Sequence, residues 1–129
     1  MKKLIHYLLA SLIFIGGNSV LAYAAENNHS KEAEQQLEKA VESGEKSDAK
    51  EVIVHSEEAK KHLIEENKEK PYPQPLKHIT GENPKAEHDE ATFEEIGKAE
   101  DHAKKGEASE AVGHVKKAST HLKRKEQSK

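Results

Sequence analysis

A four-helix bundle built from two duplicated helical hairpins is the all-α fold this sequence predicts. Three observations predict it: apolar residues recur at helical spacing, the chain matches itself at an offset of 59 residues, and its apolar content is too small for a wide sheet core. After the first 24 residues, Leu, Ile, Val and Phe number only 14 of 105. That share lies below the roughly 20% at which composition alone suggests disorder, so only a slender seam of Ala, Val and Leu remains possible.

Residues 1–24 open with Lys2 and Lys3, run apolar from Leu4 to Ile15 and end in Ala22-Tyr23-Ala24, an A-x-A pattern. They read as a cleaved secretory signal peptide, because the apolar run is shorter than the roughly 18 residues a membrane span needs. The expected domain is therefore 25–129, exported to a periplasmic or extracellular space and without a membrane anchor after processing. It carries nineteen Lys and Arg against twenty-four Asp and Glu, a formal charge of −5, and no cysteine. The acidic balance argues against nucleic acid as a partner. The missing thiols exclude a disulfide scaffold and a cysteine zinc site.

The offset aligns Glu32 to Leu63 with Ala91 to Leu122, and nine of 32 positions are identical, among them His55/His114, Ala59/Ala118, His62/His121 and Leu63/Leu122. Helices are expected near 30–44 and 48–67 in the first hairpin (30–67), and near 84–104 and 107–126 in the second (84–126). The first helix is expected to open at Ser30 with Glu32 and Glu34 behind it, and the third at Asn83-Pro84. Gly supplies the expected helix stops, at Ser43-Gly44 before Ser47-Asp48 and at Lys104-Lys105-Gly106. The apolar stripes are Ala33, Leu37, Ala40, Val41; Ala49, Val52, Ile53, Ala59, Leu63; Phe93, Ile96, Ala99, Ala103; and Ala108, Ala111, Val112, Val115, Ala118, Leu122. Four narrow stripes are buried together when they face one axis. The connector 68–83, with Pro71 and Pro75, is long enough to reach along a helix, so it leaves the order of the hairpins open.

The eight histidines beyond residue 24, His29, His55, His62, His78, His88, His102, His114 and His121, exceed what such a core requires. On a helical wheel His55 and His62 border the second stripe, and His114 and His121 border the fourth. Imidazoles so placed stay accessible while packing restrains them, which suits a divalent transition metal. Residues seven apart lie about 10.5 Å apart along a helix, too far to share one ion within that helix. Carboxylates fill the gap at i−4: Glu51 before His55, Glu58 before His62 and Glu110 before His114. These eight residues, His55, His62, His102, His114, His121, Glu51, Glu58 and Glu110, are the expected metal ligands. The better site is expected in the second hairpin from His102, Glu110 and His114, with Asp101 or Glu107 beside them. His29 and His78 fall in expected loops and carry no assignment. Tyr72 is expected to pack as linker against the bundle, Phe93 to sit in the core, and Lys116, Lys117, Lys123, Arg124 and Lys125 to offset the dipole of the last helix. No G-x-S-x-G, P-loop or H-E-x-x-H occurs, so catalysis is not expected.

Ala40-Val-Glu-Ser-Gly44 leading to His55, Ala99-Glu-Asp-His-Ala103 leading to Gly106, and His114-Val-Lys-Lys-Ala118 leading to His121-Leu122 resemble the small metal-binding protein family of bacterial exported proteins. The resemblance covers most of 30–125. It implies a signal peptide, a duplicated hairpin, His at about heptad spacing, and binding of copper, nickel and zinc in metal buffering or tolerance. Gln36, Ser43, Asp48, Glu95 and Glu107 fall where that family often has His, which implies fewer ions held more weakly. The functional expectation is an exported, monomeric buffer or carrier of divalent metals, with Cu(II) bound ahead of Ni(II) or Zn(II). The alternative is a non-catalytic envelope-stress or scaffolding bundle whose partner is another protein.

Overall fold

The computed structural model describes residues 28–72 and 83–128. The expected signal peptide and cleavage point, His78, Pro75 and Gly81 lie outside them. The described chain forms α1 (His29–Glu45), α2 (Ala49–Glu69), α3 (Pro84–Lys104) and α4 (Ala108–Gln127). Among the described residues there is no strand, and no helix is long and apolar enough to cross a membrane.

Two of the helix starts follow from capping side chains. Asp48 accepts from the Glu51 N–H at 3.2 Å, and Asn83 accepts from the Ala86 N–H at 3.3 Å ahead of Pro84. The expected start of α1 at Ser30 is corrected. The helix begins one residue earlier after Asn28, which makes no side-chain cap, and the Ser30 hydroxyl instead donates to Glu126 at 2.7 Å.

The two tight turns are copies of each other. Ser47 N–H donates to Gly44 O and Asp48 N–H to Ser43 O, both at 2.9 Å. At the positions 59 residues on, Gly106 donates to Ala103 O at 2.9 Å and Glu107 to His102 O at 3.0 Å. This geometry needs a left-handed residue, which is Gly106 at φ 79° in one copy and Ser47 at φ 60° in the other. Gly44 is therefore not the helix stop expected of it. It lies inside α1, buried, where a Cβ would collide with Val112 Cγ2 and come within 3.2 Å of Val52 Cγ2. Its job is to let α1 approach the start of α4.

Within each hairpin the helices run antiparallel, and so do the two contacts between hairpins. Glu45 pairs with Lys116 and Glu34 with Lys123 across α1 and α4, while Lys60 pairs with Glu100 and Asn67 with Asp89 across α2 and α3. The bundle is thus up-down-up-down. Both tight turns lie at one end, and the start of α1, the ends of the connector and the end of α4 lie at the other. Across the diagonal, the backbones of α2 and α4 come closer than those of α1 and α3.

Leu37, Val52, Leu63, Ile96, Val115 and Leu122 fill the core, with Ala33, Ala40, Ala59, Ala99, Ala111 and Ala118 between them. Alanines at this frequency let the axes come close and explain how so few large residues close a core. Val41, Ala49, Ile53 and Phe93 are partly buried and pack against this cluster, while Thr92 beside Phe93 is fully buried. Ser56 is also fully buried, at the position where the second copy has Val115.

Candidate metal sites

Heptad spacing sets two polar ladders face to face in each hairpin. In the first, positions 29, 36 and 43 of α1 oppose the cap position 48 and 55, 62 and 69 of α2; in the second, 88, 95 and 102 of α3 oppose the cap positions 107 and 128 and 114 and 121 of α4. A seven-residue step returns to nearly the same side of a helix, so each ladder borders the apolar stripe along its length.

His29 and His62 meet near the end that carries the connector. Their Nδ1 atoms are 3.3 Å apart, and Glu32 Oε2 lies 3.3 Å from His29 Nδ1 and 3.0 Å from His62 Nδ1. An ion held by bonds of about 2 Å in a tetrahedron has donors separated by about 3.3 Å. Three atoms of this triangle match one face of that figure, so the donor set fits a divalent metal by type and by spacing. His29 Nε2, on the far side of the ring, lies 3.7 Å from Glu69 Oε1. All four side chains are partly exposed, so solvent reaches the site.

His88 and His121 repeat this pair 59 residues on, with Nδ1 atoms 3.4 Å apart and ring centroids 5.5 Å apart, against 5.6 Å in the first pair. Nearer the turns, His102 and His114 stack with centroids 5.1 Å apart and planes 14° from parallel. Glu107 Oε2 lies 2.7 Å from His102 Nδ1, and Glu95 Oε2 lies 2.7 Å from His114 Nδ1. Each carboxylate accepts the Nδ1 proton, which leaves Nε2 of both rings as the basic nitrogen. Partial burial pushes the Glu95 carboxyl up, but hydrogen bonds from His114 and Lys98 outweigh it and hold Glu95 below the usual carboxylate range. In the first copy Ser43, Gln36 and Asp48 stand where His102, Glu95 and Glu107 stand, and His55 Nδ1 is left 2.8 Å from Gln36 Oε1.

Of the expected ligands, the structure brings together His102 and His114, sets His62 against His29, and sets His121 against His88. Glu51 lies 3.6 Å from His55 Nε2. Glu58 instead pairs with Lys61, whose hydrogen bond holds its carboxyl below the usual range. Glu110 has no ion-pair or hydrogen-bond partner among the described residues, while Glu107 and Glu95 are the carboxylates that pair with His102 and His114. The placing of His29 in a loop is corrected: it is the first residue of α1. Extending the 59-residue comparison three positions upstream pairs His29 with His88 and would have found both.

The basic end of α4 also differs from expectation. Lys125 is buried, 2.8 Å from Asp89 Oδ1 and 2.9 Å from Glu66 Oε2, so it is a joint between helices rather than a dipole cation. Burial pulls its pKa down, yet hydrogen bonds to Asp89 and Glu66 outweigh this and raise it above the usual lysine range. Its ammonium stands 5.7 Å over the Tyr72 ring, whose phenol is pushed up by burial, so the start of the connector does pack on the bundle.

The antiparallel four-helix bundle places imidazoles and carboxylates, donor types that divalent metals take, between the helices of each hairpin. The family model for small metal-binding proteins matches residues 1–125, and the chain belongs to that family. No curated protein and no solved structure matches it.

Proposed function

We propose that this protein buffers or carries divalent transition metal ions outside the cytoplasm, as an exported monomer without catalytic activity. The observation that carries the reading is the triangle of His29 Nδ1, His62 Nδ1 and Glu32 Oε2, at mutual distances of 3.3, 3.3 and 3.0 Å. Membership of a family named for metal binding supports the ligand class. The paired His102 and His114, and His55 with Glu51, supply further positions for an ion. Glu110, unpaired among the described residues, and Glu58, on release from Lys61, complete the proposed ligand set.

Imidazole and carboxylate donors favour Cu(II) over Ni(II) and Zn(II) by intrinsic order. Ligand positions that face solvent suit exchange of an ion more than its permanent retention. The lack of thiolates also suits a compartment where thiols are oxidised.

The test is dialysis of the processed chain against Cu(II), Ni(II) and Zn(II) salts, followed by metal analysis at several pH values. Bound copper at neutral pH is expected, with loss below about pH 6, because protons compete for imidazole nitrogens that titrate near 6.5 when free. A chain that emerges without any of the three ions overturns the reading.

A further inference from the structure

The two repeat-related histidine pairs have the same nitrogen geometry but different surroundings. Glu32, the third donor of the first pair, corresponds to Ala91, and Glu69, which lies behind His29, corresponds to Ser128. Among the described residues no carboxylate lies within ion-pair distance of His88 or His121, although their Nδ1 atoms are 3.4 Å apart. The nearby Asp89 is committed to Lys125 at 2.8 Å and to Asn67 at 2.6 Å.

We infer that His88 and His121 form a second ion position that leaves at least two coordination places to small donors from solution, whereas the His29–Glu32–His62 position leaves fewer. This rests on the metal-binding reading above. Two neutral imidazoles leave the full double charge on the ion, and Glu32 would remove one unit of it at the first position. Small anionic or imidazole donors therefore join the ion at the second pair, forming a mixed complex. Such an ion is easily handed to an incoming ligand, because the newcomer adds before any protein bond breaks. The first position, with three protein donors of which one is anionic, holds its ion more tightly by contrast.

The test uses two full-length processed chains in which His55, His102 and His114 are changed to Gln. One also carries His29→Gln and His62→Gln, leaving the second pair; the other carries His88→Gln and His121→Gln, leaving the first. Each is loaded with one equivalent of Cu(II) and followed by electron paramagnetic resonance, with free imidazole as the added donor and a competing chelator for affinity. The second-pair chain is expected to gain nitrogen hyperfine lines on adding imidazole and to bind Cu(II) about tenfold or more weakly than the first-pair chain. Adding Ala91→Glu to it is expected to recover most of that affinity and to suppress the added lines.

Equal affinities with no imidazole adduct overturn the inference while leaving the metal-binding reading standing, as does copper in the first-pair chain alone. Copper in neither folded chain overturns both. If the multiply substituted chains do not fold, as judged by circular dichroism, Ala91→Glu in the otherwise unaltered chain decides the matter. One class of Cu(II) is then expected to tighten about tenfold, and an unchanged binding curve overturns the inference.

Discussion

Ser47 holds a φ of 60° in the first turn, where its counterpart Gly106 holds 79° in the second. A left-handed conformation costs a residue with a Cβ about 1–2 kcal/mol, of which the unfolded-state entropy of Gly offsets about half. Ser47→Gly is therefore expected to stabilise the bundle by about 0.5 kcal/mol, and Gly106→Ser to destabilise it by a similar amount; urea unfolding of the two variants reads both signs. A single residue also marks the flaw in the core. Ser56 is fully buried, and its hydroxyl has no partner among the described residues. An unpaired buried hydroxyl costs about 1–3 kcal/mol, so Ser56→Ala is expected to raise the unfolding free energy by about 1 kcal/mol. A loss on that substitution would show that the hydroxyl is satisfied in solution. Both features bear on what could be read from the sequence. The duplication pairs Ser47 with Gly106 and Ser56 with Val115, yet only backbone angles reveal that Ser47 must be left-handed, and the more obvious Gly44 drew the helix stop to itself. Gly44 is required by the close approach of α1 to Val112, a tertiary demand that leaves no local trace.

At the scale of the helix, the apolar stripes were legible because burial in a bundle follows the 3.6-residue period directly. The helix boundaries followed from Asp48, Asn83 and the turn residues. The partners of each imidazole were not legible, because they depend on register across the hairpin. Counting along one helix favoured Glu58 and Glu110, whereas Glu32 from α1 and Glu95 from α3 reach across to His62 and His114. Every histidine pair links two helices of the same hairpin, so an ion bound at the first pair clips the start of α1 to α2. The start of α1 lacks a side-chain cap and is expected to fray. Zn(II) is therefore expected to slow amide hydrogen exchange over residues 32–35, and His62→Ala to abolish that protection. Equal exchange rates with and without Zn(II) would mean that no ion bridges these helices.

For the molecule as a whole, the hairpins are joined by the alanine-rich core and by charged contacts, of which Lys125 with Glu66, supported by Asp89 from its own hairpin, is the most buried. Removing one member of a buried ionic cluster leaves the others uncompensated, at a cost of about 3–5 kcal/mol. Lys125→Ala is expected to lower the melting temperature by more than 10 °C, since about 1 kcal/mol moves a domain of this size by roughly 4–8 °C. Because the folded pKa of Lys125 is raised, its contribution is fully present below the unfolded lysine value near 10.4 and is lost as pH rises past it. Glu95 has the opposite sign: its folded pKa is lowered, so its contribution is present above about pH 4.5 and is lost as pH falls through the folded value. Melting temperatures measured from pH 3 to 11 are expected to fall at both extremes, with Glu95→Gln flattening the acid limb and Lys125→Met the alkaline one. Metal adds a further term by mass action, about 2.7 kcal/mol when free ion is at a hundred times its dissociation constant.

Calorimetric titration of Cu(II) into the processed chain and into the His29→Ala, His62→Ala double variant, both at neutral pH, tests the central claim most directly. The account predicts that the double variant stays folded and loses the tightest binding step, because the two Nδ1 atoms and Glu32 Oε2 form one ion position. Identical stoichiometry and affinity in the two proteins would contradict it.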